Sequence, residues 1–413
     1  MLFLTENKYA GSSEAAARVR SKRVPAERAI LSMVRQFGPV ARVELSRTLA
    51  LSPATVSVAT AAMVARGVLV EVEEQETHAR AGRGRPPVRL DFAPDAGTAA
   101  SLRVGFDYAE FGLADARGRF VATRARALEL HTLDADGVIA MLGDFLAEGL
   151  AACGLARPDA LAVAFQGFID AARGVVVWSP VLGCRDVRLA EGLSARFGIP
   201  VAIENDAGAL ALSVARREAA FASGRTAVIL LGDGVGLGLL FDGRLYRGAR
   251  AGGSEYGHIR VGAHGPQCRC GARGCIEASV ADYALYRDVR IALGSAAVTG
   301  DDEAQKTALV GAAMAGDMRA LAVFDSAARV LAEGVSIVLQ LLQPENVVIA
   351  GPGARARALL EPELRRHLAA VATPGIAEQT GITFVPFETV QFLEGALRQG
   401  LEFLDDALAA RQD

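Results

Sequence analysis

The chain has 413 residues, 51% of them hydrophobic and 22% charged, and a net charge of −3. That length holds two or three domains with apolar cores, and the composition excludes a disordered or fibrous chain. The charge is unevenly spread: residues 1–92 carry 14 Lys or Arg against 9 Asp or Glu, and the remainder 30 against 38, so a head of +5 precedes a body of −8. Only the head is suited to meet a polyanion. The opening Met1-Leu-Phe-Leu gives way at once to Thr-Glu-Asn-Lys, leaving no apolar core for a secretion signal, and later apolar runs break at Gly and Asp. A soluble, cytoplasmic protein without a membrane partner is expected.

From Pro25 onward, Ile30, Met33, Val34 and Phe37 recur at helical spacing, and Gly38 supplies a stop. A short helix over 43–49 follows, then a turn, then a second helix for which Ser52 is a natural N-cap and Pro53 a natural first residue. This pattern predicts a helix-turn-helix whose second helix turns Val56, Met63 and Val64 inward and presents Ser52, Ala54, Thr55, Ser57 and Val58 to DNA. Side chains this small offer few of the bidentate arginine–guanine contacts. Residues 69–73 and 88–92 read as wing strands around a glycine-rich loop whose Arg80, Arg83 and Arg85 suit a phosphate backbone or a minor groove. The alternative is a small helical interaction module with solvated arginines; capping, spacing and basic loop agree on DNA. Ala50 is the misfit, because the turn prefers a residue tolerant of left-handed backbone.

Beyond Pro94, apolar strands alternate with helices, which predicts an α/β body. Residues 101–107 and 111–123 read as a hairpin of two apolar strands, and 160–167 as a strand ending in a loop. A third strand, 200–206, ends in Asn205 and Asp206, where α/β proteins place their ligands. Residues 227–243 repeat the hairpin, so two similar halves are expected, and 347–353 adds a strand with a glycine turn.

Between the two halves of the second hairpin region and the following helix lies the densest chemistry in the chain: Glu255, His258, Cys268, Cys270, Cys275 and Glu277. Three thiolates and an imidazole make a closed tetrahedral shell for Zn2+, which organises structure and leaves no open position for hydrolysis. A disulfide or free thiols are the alternatives, and five cysteines in a chain of cytosolic character favour the metal. Glu255 and Glu277 flank the ligands, either to orient the zinc histidine or for another task.

In their order these motifs resemble the ROK family, which groups bacterial sugar-responsive repressors with sugar kinases, and the resemblance runs from Ala26 to the last helix. It implies a winged helix-turn-helix followed by an actin-like α/β body of two lobes, with sugar in the cleft and, in the kinases, ATP beside it. The implied division is 1–95 for the DNA-binding domain, 96–209 with 392–413 for the first lobe, and 210–391 for the second lobe with its zinc loop. Implied ligand contacts are Gly167, Asn205, Asp206, Glu255, His258 and Glu277, and implied zinc ligands His258, Cys268, Cys270 and Cys275. Gln166 stands where a proline is usual. Asp206 matches the base that deprotonates a sugar hydroxyl in the kinases; taken alone it reads as a helix cap. The nucleotide loops depart from the kinase pattern. Asp-x-Gly-Gly-Thr is matched to Asp107-Tyr-Ala-Glu110-Phe, and Gly-Thr-Gly to Gly232-Asp233-Gly234. Carboxylates at Glu110 and Asp233 are expected to oppose a polyphosphate by about 1–4 kcal/mol per pair. The resemblance therefore implies a sugar-responsive transcriptional regulator of carbohydrate metabolism, a repressor and not an enzyme, binding operator DNA as a homodimer or homotetramer. An active ATP-dependent sugar kinase with an accessory DNA-binding domain is the alternative.

Overall fold

The computed structural model describes residues 25–72, 88–249, 254–262, 264–294 and 302–411. The N-terminal unit opens with a helix over 25–37 that buries Ile30, Leu31, Met33 and Val34, while Phe37, its last residue, is 58% exposed instead of packed. The helices Arg42–Thr48 and Pro53–Ala65 follow. Ser52 caps the second: its hydroxyl accepts the Thr55 N–H at 3.1 Å, and Pro53 occupies the first turn, where no backbone donor is missed. Strands Val40–Ala41, Arg89–Phe92 and Leu69–Val72 form a three-stranded antiparallel sheet in that order. The wing arginines Arg80, Arg83 and Arg85 lie outside the described residues.

The body contains two five-stranded sheets of the same topology. In the first, Thr98–Val104, Tyr108–Asp115 and Phe120–Ala127 form an antiparallel meander, and Ala160–Phe165 and Val201–Asn205 add in parallel on the other side. The segment read from sequence as one strand after residue 111 is thus two, because the chain turns at Arg117–Gly118, where Asp115 accepts the N–H groups of Arg117 and Arg119. In the second sheet, Arg225–Leu231, Val235–Phe241 and Arg244–Tyr246 are the meander, and Asn346–Ala350 and Gly381–Phe384 the parallel strands. The expected internal duplication is therefore present. Parallel register aligns Val104, Phe165 and Asn205 at the carboxyl edge of the first sheet. The turns after Leu231 and Ala350 stand at the matching edge of the second. The clefts open between these edges, as the crossover geometry of α/β sheets requires.

Two helices join the units. Asp206–Arg217 leaves the first sheet but packs its Ala207, Leu210, Ala211 and Val214 with Val228, Leu230 and Val348 of the second. The division expected at 209/210 falls inside this helix. The C-terminal helix Val390–Ala410 crosses it so closely that a Cβ on Gly395 would meet the Ala209 carbonyl oxygen at 1.7 Å. Further along, Leu397, Leu401, Leu404 and Leu408 enter one core with Ile30, Leu31, Val34 and Met63 of the N-terminal unit. Each buried leucine contributes roughly 1.5–3 kcal/mol. Arg35 adds a bidentate pair to Asp405 at 2.5 and 2.7 Å. Arg66, the C-cap of the helix Pro53–Ala65, donates to the carbonyls of Ala409 and Arg411 and pairs with buried Glu27 at 2.9 Å. Among the described residues no helix is long and apolar enough to cross a membrane.

Ala50 has φ +52°, in the left-handed region where a Cβ costs about 1–2 kcal/mol, so the misfit seen in the sequence is built into the turn. Its side chain is exposed. Ala50→Gly should raise unfolding free energy by about 1 kcal/mol after the entropy of the added glycine, read as a higher denaturant midpoint with unchanged slope.

Candidate ligand cleft and metal centre

All six ligand positions expected from the resemblance, Gly167, Asn205, Asp206, Glu255, His258 and Glu277, line one cleft that is open to solvent, together with Gln166 and Trp178. The two lobes contribute different chemistry to it. From the first, Asn205 is the N-cap of the helix Asp206–Arg217: its Oδ1 accepts the N–H groups of Ala207 and Gly208, and its Nδ2 donates to the Gly167 carbonyl at 2.8 Å. The capping role that Asp206 could have held alone therefore belongs to Asn205. Asp206 is the first helical residue; its Oδ1 accepts from Ala207 N–H at 2.9 Å, and the residue lines the cleft. Gly167 has φ +130°, and a Cβ there would meet the Trp178 carbonyl oxygen at 2.4 Å, so the loop against Asn205 needs glycine.

From the second lobe come the metal-type cluster and the glutamates. The ligand atoms of His258, Cys268, Cys270 and Cys275 lie within 4.8 Å of one another. Cys270 Sγ and Cys275 Sγ are 3.8 Å apart, and Cys268 Sγ is 3.6 Å from His258 Nδ1. A tetrahedral ion with bonds of about 2.3 Å to sulfur has edges of about 3.8 Å, so the four residues fit a metal and show no disulfide. His258 turns Nδ1 to the thiols and Nε2 to Glu255, 3.7 Å away. Ligation at Nδ1 would leave the proton on Nε2, so one ring could serve an ion and the cleft together. Glu277 lies 3.5 Å from Cys268 Sγ through one oxygen and accepts the Val235 N–H at 3.3 Å through the other. Both glutamates thus brace the cluster and line the cleft; the two tasks coincide.

Sequence reasoning missed two buried charges behind this cleft. Glu204, directly before Asn205, accepts from Arg247 Nε and Gln399 Nε2, each at 2.7 Å, and from Asn205 N–H at 3.0 Å. Arg103, in the first strand of the body, is 6% exposed, stacks 3.7 Å from the Phe392 ring centroid and pairs with Glu110 at 3.1 Å. An arginine and a glutamate as direct cross-strand partners in an apolar hairpin were the available signal.

That pair also corrects the reading of the nucleotide loops. The turn between the first two strands of the body is Gly105-Phe106-Asp107, and Glu110 lies inside the second strand, buried and neutralised by Arg103. Asp233, the other expected repulsive charge, faces Lys306 at 3.7 Å. Lys306 and Arg355 also reach Asp282, at 3.4 and 3.3 Å. Together with Arg269, Arg287 and Arg290 these groups line a second, larger cleft of about 2070 Å³. Charge alone does not bar a phosphate from it. What differs from a phosphate-cradling turn is shape: Ala109 and Glu110 stand where its two glycines would, and the rings of Phe106 and Tyr283 hold the Arg269 guanidinium at 4.5 and 4.0 Å.

Residues 99–388 match the ROK family. The chain belongs to that family. Among its curated relatives, the DNA-binding transcriptional repressor Mlc of Escherichia coli K12 is 26% identical over 391 residues, covering 92% of each chain. The xylose repressor of Bacillus subtilis 168 is 26% identical over 331 residues, 78% of this chain and 81% of that one. Among solved structures, a ROK family transcriptional regulator described as a homolog of the E. coli Mlc protein superposes with a TM-score of 0.78 at 25% identity, over 94% of this chain and 98% of that one. A ROK family glucokinase from Streptomyces griseus, in complex with glucose and AMPPNP, superposes with a TM-score of 0.63 at 25% identity, over 74% of this chain and 99% of that one. The regulator superposes on nearly the whole chain, whereas the kinase covers about the share that the body occupies.

Burial pushes the Asp206 carboxyl up to about 6, with the Arg103 charge and the Ala207 N–H pulling it back down. A folded-state value above the unfolded one means that ionising Asp206 opposes folding: the penalty is absent below pH 4, grows between 4 and 6, and is complete above 6. Asp206→Asn, which keeps the Ala207 hydrogen bond, should therefore melt at a higher temperature than the parent at pH 7.5, with the difference shrinking toward zero as pH approaches 4.

Proposed function

We infer that this ROK family member is a DNA-binding transcriptional repressor whose effector is a sugar or sugar derivative, with kinase activity lost. A cleft lined by Asp206, Glu255, Glu277, the Asn205 amide and the Nε2 of His258 supplies the mixed donors and acceptors that a polyhydroxylated ligand demands, since each buried unpaired hydroxyl costs about 1–3 kcal/mol. The repressors among the relatives and the winged helix unit supply the DNA side. The observation that carries the reading is the single helix touching both ends. Gln399 holds Glu204 beside Asn205 and Asp206, and ten residues on, about 15 Å along the axis, Ala409 holds Arg66 at the foot of the DNA-binding helix. Ligand acts by binding the DNA-competent and DNA-incompetent arrangements with different affinity, and a homodimer or homotetramer presents paired helices to paired half-sites. Residual kinase chemistry is the second reading, favoured by Asp206 and by the cation-lined second cleft, and sugar-dependent release of ADP from ATP would establish it.

The four-residue cluster holds structural Zn2+ on this reading. His258, Cys268, Cys270 and Cys275 would close its shell, and its charge would fix the loop that carries Glu277. Cys268→Ser should lower bound zinc from one ion per chain toward none by elemental analysis, and loosen the Glu277 loop so that it becomes susceptible to limited proteolysis.

The functional test uses full-length protein and duplexes enriched by it from a random DNA library. One member of a panel of sugars and sugar derivatives should change duplex affinity by about 5- to 150-fold. Gln399→Leu should retain binding of that sugar by calorimetry and lose most of its effect on DNA. A protein whose duplex affinity ignores every member of the panel would sink the effector reading.

A further inference from the structure

We propose that Val58 reads operator DNA through the 5-methyl group of thymine, so that the second DNA-binding helix recognises sequence by apolar contact more than by hydrogen bonds. This rests on the DNA-binding function proposed above and specifies its chemistry. Val58 stands in the second turn of Pro53–Ala65 and is 69% exposed, the one large apolar side chain on that helix left in water. An exposed β-branched residue within a helix loses rotamer freedom and gains nothing from its own fold. Its neighbours on the outer face, Ala54 and Ala61, are likewise exposed and present only methyl groups.

The polar alternatives are largely committed. The Ser52 and Thr55 hydroxyls lie 2.8 Å from each other, and Ser52 also accepts the Thr55 N–H to cap the helix. Thr60 is buried, donates to the Val56 carbonyl and accepts from Arg42 Nε. Ser57 keeps a free-standing hydroxyl on the exposed face, short of the reach of a bidentate reader. The helix itself carries no Arg, Lys, Asn or Gln, and Arg66 at its C-cap is turned back onto Glu27, Ala409 and Arg411. Guanine and adenine are read in the major groove by bidentate side chains of those missing types, whereas the thymine methyl is the apolar feature of that groove. Positions in the first turns of such a helix are the ones that reach base edges. Val58 is therefore placed, and chemically suited, to cover a methyl group, while arginines elsewhere can add affinity without sequence.

The test takes a duplex enriched by the full-length protein from a random library and replaces each thymine singly by deoxyuridine, which deletes only the methyl. Affinities are compared by fluorescence anisotropy at one fixed salt concentration. The expected result is one or two positions per half-site at which deoxyuridine weakens binding about 4-fold, the transfer value of one buried methyl group. At those positions Val58→Ala, at an exposed site where alanine favours the helix, should bind the two duplexes equally. Persistence of the full loss in Val58→Ala would overturn the assignment to Val58, and indifference of the parent protein to every replacement would overturn methyl reading altogether while leaving DNA binding intact. Failure to enrich any duplex would instead overturn the DNA-binding reading and this proposal with it.

Discussion

The contact on which most of this structure depends is the crossing of the helices Asp206–Arg217 and Val390–Ala410. Gly395 lies against the Ala209 carbonyl with no room for a Cβ, so the two axes are fixed at backbone distance. One helix begins at the ligand residues and rests on the second sheet; the other rests on the first sheet and ends in the core of the DNA-binding unit. Helices at such close approach have few alternative packings, so the cleft and the N-terminal core share one rigid connection. The Arg35–Asp405 pair and the Arg66 contacts then make the DNA-binding unit a continuation of that helix more than a tethered appendage.

The cleft and the metal-type cluster are likewise one assembly. His258 shows its two ring nitrogens to different partners, and Glu277 divides its two oxygens between Cys268 and the Val235 backbone. Loops this rich in glycine bury too little apolar area to hold carboxylates in fixed positions, and an ion held by His258, Cys268, Cys270 and Cys275 would do so with four bonds. The cleft-facing side of the second lobe would be organised by that cross-link, whereas that of the first lobe is organised by a helix cap at Asn205.

Charges behave differently here from their appearance in a linear reading. Glu110 and Asp233 look like obstacles to a polyphosphate when counted alone, yet each has a cation opposite it: Arg103 across a strand pair and Lys306 from a distant helix. Paired carboxylates repel a third charge weakly, so the second cleft is distinguished from a nucleotide site by the Phe106–Arg269–Tyr283 stack and not by its charge.

What the sequence by itself determined was whatever depends on neighbours along the chain. Ser52 and Pro53 mark a helix start, the outward face of that helix follows from its period, alternation and glycine turns mark strands, and three cysteines within eight residues declare a shared ligand site. Asn205 and Asp206 at a strand end and Glu255 and Glu277 beside the cysteines stood out in the sequence, their shared role as ligand contacts was implied by resemblance, and folding brings them into one cleft with His258. Only the tertiary structure decided the rest: that Asn205 and not Asp206 is the cap, that Glu110 is neutralised, that the segment after Phe111 is two strands, and that Gln399 reaches Glu204 across 195 residues. A hydrogen bond or ion pair between distant positions leaves no period or spacing in the sequence. Its partner is selected by how sheets and helices pack, and packing is a property of the whole fold.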